Sequence, residues 1–192
     1  MDRAPPAPRI PPSSRPLPGR GSSTAPSAPV LADLGKRLEE TSGYDGIFRI
    51  VRAVVHRVLG IERPGLGLAL SNLPPQLGAY WPVTGNLIVL NEGLVAAMRA
   101  SASSPLEVNS FVYVVLAHEY LHSLGYLDET SVRAVTARVT HAAFGPDHLA
   151  TRMAEGDLWK MYPFLAHAPT GDGRRLRIVP GFDLASTQNY IR

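Results

Sequence analysis

From Val30 onward the chain alternates between stretches of helical period and short stretches broken by proline and glycine. Leu31, Leu34 and Leu38 mark a short helix that Ser42-Gly43 ends. Ile47, Ile50, Val51, Val54, Val55, Val58 and Leu59 then recur at alternating steps of three and one, the signature of an amphipathic helix, and Gly60 stops it. The following stretch, to about Val83, is rich in Pro and Gly and leaves room only for short strands such as 66–70. Residues 86–90 (NLIVL) predict a buried or edge strand, and Asn91-Glu92 can open a helix around 94–100. Ser104, Pro105 and Glu107 form a strong helix start: a capping hydroxyl, a proline in the first turn and an early acid. The helix they open, from Leu106 to about Leu124, is apolar nearly all round, as only a buried central helix is. Gly125 ends it. Two further helices are expected over 129–143 and 147–158, before a polar, irregular C-terminal region.

The central helix carries His118-Glu119-Tyr120-Leu121-His122. Histidines four residues apart differ by about 40° in azimuth and one turn in height, so both imidazoles can reach one metal ion. Glu119, rotated about 100° from His118, is ill placed to be a ligand beside both but can reach a water held by that metal. A zinc hydrolase needs this division: the metal acidifies the water, and the carboxylate takes its proton and passes it to the leaving group. Two His and one Glu in so apolar a helix also need partners, because burying polar groups alone is costly. The competing reading is a pair of core histidines bonded to backbone, with Glu119 in a buried ion pair.

The segment HEYLHSLGYLD resembles the extended HExxHxxGxxH/D signature of the metzincins, within the zincin class of zinc peptidases. The resemblance implies His118 and His122 as zinc ligands, Glu119 as general base, Gly125 as the sharp turn out of the helix and Asp128 as third ligand. Aspartate stands at that position in the snapalysin-like peptidases, and carboxylate oxygen is an ordinary zinc ligand. Met161-Tyr162-Pro163 is similar to the Met-turn of the matrixins, which lies beneath the metal, and residues 86–90 resemble the zincin edge strand that holds an extended substrate. Asn86, Leu87, Ile88 and Val89 would then contact substrate. The helical reading between Asp128 and Met161 opens a gluzincin-like alternative with Glu155 as third ligand, and His148 and His141 are other candidates. Tyr126, Tyr162, His141 or His148 could donate to the developing oxyanion. Asp128 also suits the N-cap of the helix beginning at Glu129. Tyr120, His56 and His167 are read as packing or surface residues.

Composition narrows these options. The chain has 192 residues and no cysteine, which excludes disulfide frameworks, thiolate metal sites and cysteine nucleophiles. Its formal net charge of +3 resides in residues 1–29, where Arg3, Arg9, Arg15 and Arg20 oppose Asp2 (4 − 1 = +3). The remainder is balanced, so nucleic acid is not an expected partner. Nine of the 18 prolines also fall in residues 1–29, which predicts a disordered tail that could contact a partner. No signal-peptide h-region or membrane-length apolar run is visible, so a cytoplasmic location without membrane attachment is expected. The expected fold is α+β and zincin-like, over residues 30–192: a small mixed sheet on a long buried active-site helix, with a helical C-terminal half. The expected function is a metalloendopeptidase with one zinc (Zn2+) per chain acting on a peptide or protein. A non-proteolytic zinc hydrolase, a catalytically silent binding module and a metal-free helical domain are the alternatives.

Overall fold

A computed structural model describes residues 28–183; the tail expected over 1–29 lies outside the described residues except for its last two positions. The fold is mixed, with seven α-helices and a small four-stranded sheet among the described residues. Helix α1 (Ala28–Glu40) and helix α2 (Gly43–Leu59) come first. Gly60 ends α2 in the left-handed region, φ 70°, and donates its N–H to His56 O. The apolar face read from the sequence is the buried one, with Ile47, Phe48, Ile50, Val51, Val54 and Val55 inside.

Strand β1 (Gly67–Ser71) pairs in parallel with β3 (Leu87–Asn91), which pairs antiparallel with β2 (Ala79–Tyr80). Strand β4 (Arg177–Ile178) adds antiparallel to β1 in the region expected to be irregular, giving the order β2-β3-β1-β4. The period-2 alternation separates the faces. Leu68, Leu70, Ile88 and Leu90 join the main core, whereas Ala69 and Val89 pack with Leu73, Tyr80 and Leu87 in a smaller cluster. Strand β3 is therefore interior, not an edge: Val89 and Leu90 already face Tyr80 and Ala79. Of the residues expected to hold substrate, Val89 is already paired with Tyr80, whereas Asn86, Leu87 and Ile88 lie beyond the two-residue β2 and pair with no described strand on that side. The two edge strands are β2 and β4.

Helix α3 (Glu92–Ser101) follows β3 directly. Helix α4 (Pro105–Ser123) begins as expected, with Ser104 Oγ accepting from Glu107 N–H. It is the central element, touched by α1, α2, α3, β2, β3, α5 (Glu129–Phe144) and α6 (Leu149–Glu155), which explains its apolar circumference. The helix expected over 147–158 is α6 and a separate single turn, α7 (Leu158–Met161). Asp157 interrupts them by capping α7, its carboxylate accepting from Trp159 and Lys160 N–H. A 3₁₀ turn, Pro163–His167, completes the helical part.

One side chain organises the crossover between β1 and β3. Asn91 is fully buried; its Oδ1 accepts from Gly93 and Leu73 N–H, and its Nδ2 donates to the carbonyls of Leu73, Pro74 and Leu77. Its own N–H donates to Gly78 O, so both its backbone and its side chain hold the loop that delivers β2. Buried carbonyls left without a donor cost about 1–3 kcal/mol each. Asn91→Ala is accordingly expected to lower stability by about 3 kcal/mol. Urea unfolding followed by circular dichroism measures this, and a change below about 1 kcal/mol would refute the organising role.

Candidate metal centre

His118 and His122 lie on the last turns of α4, half-buried, with their Nε2 atoms 3.1 Å apart. The helix ends through Gly125: its N–H donates to His122 O, and Tyr126 N–H reaches back to Leu121 O. Gly125 has φ 102°, a conformation a Cβ disfavours, and it turns the chain back over the helix end. That return brings Tyr126 O within 2.7 Å of His122 Nδ1. A carbonyl only accepts, so Nδ1 carries a proton, and it is Nε2 that is left facing His118 and Glu129.

The same return starts α5 beside the histidines. Glu129 Oε2 lies 3.4 Å from His118 Nε2, and its Oε1 lies 3.3 Å from His122 Nε2. These three are the group of His, Asp and Glu side chains among the described residues whose ligand atoms converge closely enough to hold a metal. Burial holds the His118 pKa down at about 4, outweighing the Glu129 carboxylate that pulls it up. The ring is therefore neutral at physiological pH, and its closeness to Glu129 is not an ion pair. His118 Nε2, His122 Nε2 and the Glu129 carboxylate thus face one another in a group that could hold a cation. In a tetrahedral zinc site with bonds of about 2.0–2.1 Å, neighbouring ligand atoms stand about 3.3 Å apart. The two Nε2 atoms stand 3.1 Å apart, near that spacing, and with one ligand atom taken from each residue the three groups lie within 4.8 Å of one another.

Glu119 lies beside this group but faces inward, with 6% of its surface exposed. Its pKa is pushed up to about 7, first by burial and then by the Glu129 carboxylate, and is pulled back in part by the backbone N–H of Trp81. Trp81 directly follows edge strand β2, so the sheet edge leads to Glu119.

The remaining candidates lie elsewhere. Asp128 Oδ2 accepts from Ser131 N–H at 2.7 Å and caps α5, and the acid turned to the histidines is its neighbour, Glu129. Both roles arise from one backbone turn, in which the N-cap side chain folds over the helix start and the next residue projects sideways. His141 Nδ1 pairs with Glu155 Oε1 at 3.0 Å, on the exposed surface between α5 and α6. His148 caps α6, its Nδ1 accepting from Ala150 N–H, and its ring stacks on Phe144. Tyr162 contacts Glu107 in the first turn of α4, 11 residues before His118 and so about 16 Å away along the axis. It cannot donate to an oxyanion at the histidines, and the Met-Tyr-Pro turn sits at the wrong end of α4 to underlie them. Met161 is exposed, its sulfur close over Gly156. Tyr126 contributes its carbonyl, while Tyr120 is buried with its hydroxyl accepting from Arg63 N–H, as a packing residue should be.

Glu129, Trp81 and Arg63 are the site residues that sequence reasoning missed. An acid in the first turn of a helix is ordinary dipole chemistry, so Glu129 carries no signal of its own until the Gly125 turn is known. Compared with known protein families, curated proteins and solved structures, the chain gives no match.

The raised Glu119 pKa has a consequence for stability without metal. An unfolded glutamate titrates near 4.5 and the folded one near 7, so between these values the native state binds more protons and stability falls as pH rises. Glu119→Gln removes this loss. Relative to wild type, the metal-free variant should gain about 2 kcal/mol between pH 5 and pH 8, read from urea midpoints across a pH series. A gain that is independent of pH would contradict the burial of the carboxylate.

Proposed function

We propose that this chain is a zinc-dependent hydrolase of the zincin type that cleaves peptide bonds. The observation carrying this reading is the convergence of His118 Nε2, His122 Nε2 and the Glu129 carboxylate within 4.8 Å of one another, with Glu119 buried alongside. His118, His122 and Glu129 would hold the ion, with Tyr126 O fixing the tautomer of His122. Zinc bound there would supply Lewis acidity to a substrate carbonyl and lower the pKa of a water.

The chain's own residues do the rest. Glu119, held near neutrality by its surroundings, suits a group that must accept a proton from water and return it to a leaving amine. The outer edge of β2 offers backbone groups to an extended peptide, which would run toward Trp81 and Glu119. A two-residue edge supplies only a short ladder, which favours short peptides over long extended ones. The same brevity keeps a second reading alive, a hydrolase of small non-peptide amides or esters, and a peptide-library screen run beside a small-amide panel separates the two.

The metal and its third ligand are tested together by elemental analysis and competitive zinc titration. About one zinc per chain is expected for wild type and for Asp128→Ala, which loses only a helix cap. Glu129→Ala should bind at least about tenfold more weakly, since losing even a supporting contact to a metal ligand costs that much. Wild type that takes up no zinc after saturation and dialysis would refute the metal centre, and a loss confined to Asp128→Ala would return the ligand role to that residue.

Glu119→Gln keeps the shape of the side chain but removes the base. It should retain zinc and lose about 10²–10⁴ of the hydrolysis rate. A variant as active as wild type would end the mechanism.

A further inference from the structure

We infer that Arg63 is a positioning residue for the site, clamping the Trp81–Asn86 segment onto the C-terminal end of α4. The inference rests on the hydrolase reading for its catalytic part and on geometry alone for the clamp.

Arg63 lies in the loop between α2 and β1, half-buried, and belongs to no regular element. Its Nη1 donates to Ser123 O at 3.0 Å, a carbonyl of the last turn of α4, next to His122. Its Nη2 donates to Gly85 O and to Asn86 Oδ1, each at 2.9 Å. The guanidinium carbon stands 5.3 Å from the centre of the Trp81 ring, and the Trp81 indole N–H donates to the same Gly85 carbonyl at 2.7 Å. The Arg63 backbone N–H is held by the Tyr120 hydroxyl at 2.8 Å. One cation thus joins the helix end, the turn and the tryptophan, and a planar fork with several donors in fixed directions is the group that can do so. A positive charge is also favoured there by the negative end of the helix dipole.

The segment needs such a clamp. Gly85 N–H closes a turn on Pro82 O, and within it Thr84 has φ 70°, a conformation that a β-branched residue adopts only under constraint. Pro82, Val83, Thr84 and Asn86 are all exposed, so little burial holds the turn in place. Its start is Trp81, whose backbone N–H touches Glu119. Arg63 therefore acts on Glu119 through Trp81, and on the histidines only through the helix end.

The test uses the full chain with Arg63→Met, which keeps the apolar stem and loses the fork, and Arg63→Lys, which keeps the charge. Amide exchange over residues 81–86 should rise at least tenfold in Arg63→Met and less in Arg63→Lys, with the interior of α2 unchanged. Zinc affinity should stay within about threefold of wild type, because His118, His122 and Glu129 are untouched. For a substrate that wild type cleaves, kcat should fall about tenfold in Arg63→Met with KM nearly constant, and Arg63→Lys should recover part of it. Unchanged exchange over 81–86 overturns the clamp. Raised exchange with kcat unchanged overturns the positioning role. Should Arg63→Met not fold, Trp81→Phe, which keeps the ring and removes the bond to Gly85, must raise exchange in the same segment or the clamp is refuted. Wild type that binds zinc yet cleaves no peptide, amide or ester refutes the hydrolase reading and the catalytic part of this inference together, while the exchange data still decide the clamp.

Discussion

The described residues are arranged around a helix that water hardly reaches. Helix α4 is apolar nearly all round, and seven other elements pack against it. In such surroundings an imidazole or carboxylate must find partners or give up its charge. His118 becomes a neutral base, and Glu119 is driven toward the protonated form. His122 donates its Nδ1 proton to a backbone carbonyl. Burial thus sets the state of His118 and Glu119 on this helix.

The parts that serve α4 are held by polar groups rather than by mass of core. Gly125 turns the chain so that Tyr126 O and Glu129 return to the histidines. Asn91 ties down the loop that delivers β2, and Arg63 ties the following turn to the helix end. Each satisfies several backbone groups from a single side chain, which is how a short, proline-rich crossover acquires a fixed shape without a helix of its own. The C-terminal end of the described chain is held in the same manner. Asp183 accepts from Arg52 and from Gly65 N–H, while Phe182 stacks on Phe48, which in turn meets Tyr120 edge-on. The loop carrying Arg63 is thereby fixed from behind as well as from the site.

Much of this was legible from local pattern. The period of α2, the Ser104 cap and the all-round apolarity of α4 are properties of neighbouring residues and needed no tertiary knowledge. His118, Glu119 and His122 were legible for the same reason, because a helix converts their spacing directly into geometry. The third acid was not. Asp128 stands at the position the extended motif names, yet the structure gives it the cap and turns the exposed Glu129 toward the histidines, a choice made by one backbone turn. Residues 86–90 read equally well as an edge or a buried strand, since an apolar run does not say how many neighbours it has.

The sequence by itself determined where helices start and stop, which helix is central, and that two imidazoles and a carboxylate share it. These follow from interactions within a few residues, where backbone geometry leaves little freedom. Only the tertiary structure decided that Tyr162, His141, His148 and Glu155 stand away from the histidines, that β2 is an edge strand, and that Arg63 joins three segments. Those outcomes depend on the directions in which loops return, and the chain closes each loop through contacts between residues far apart in sequence, which no local pattern encodes.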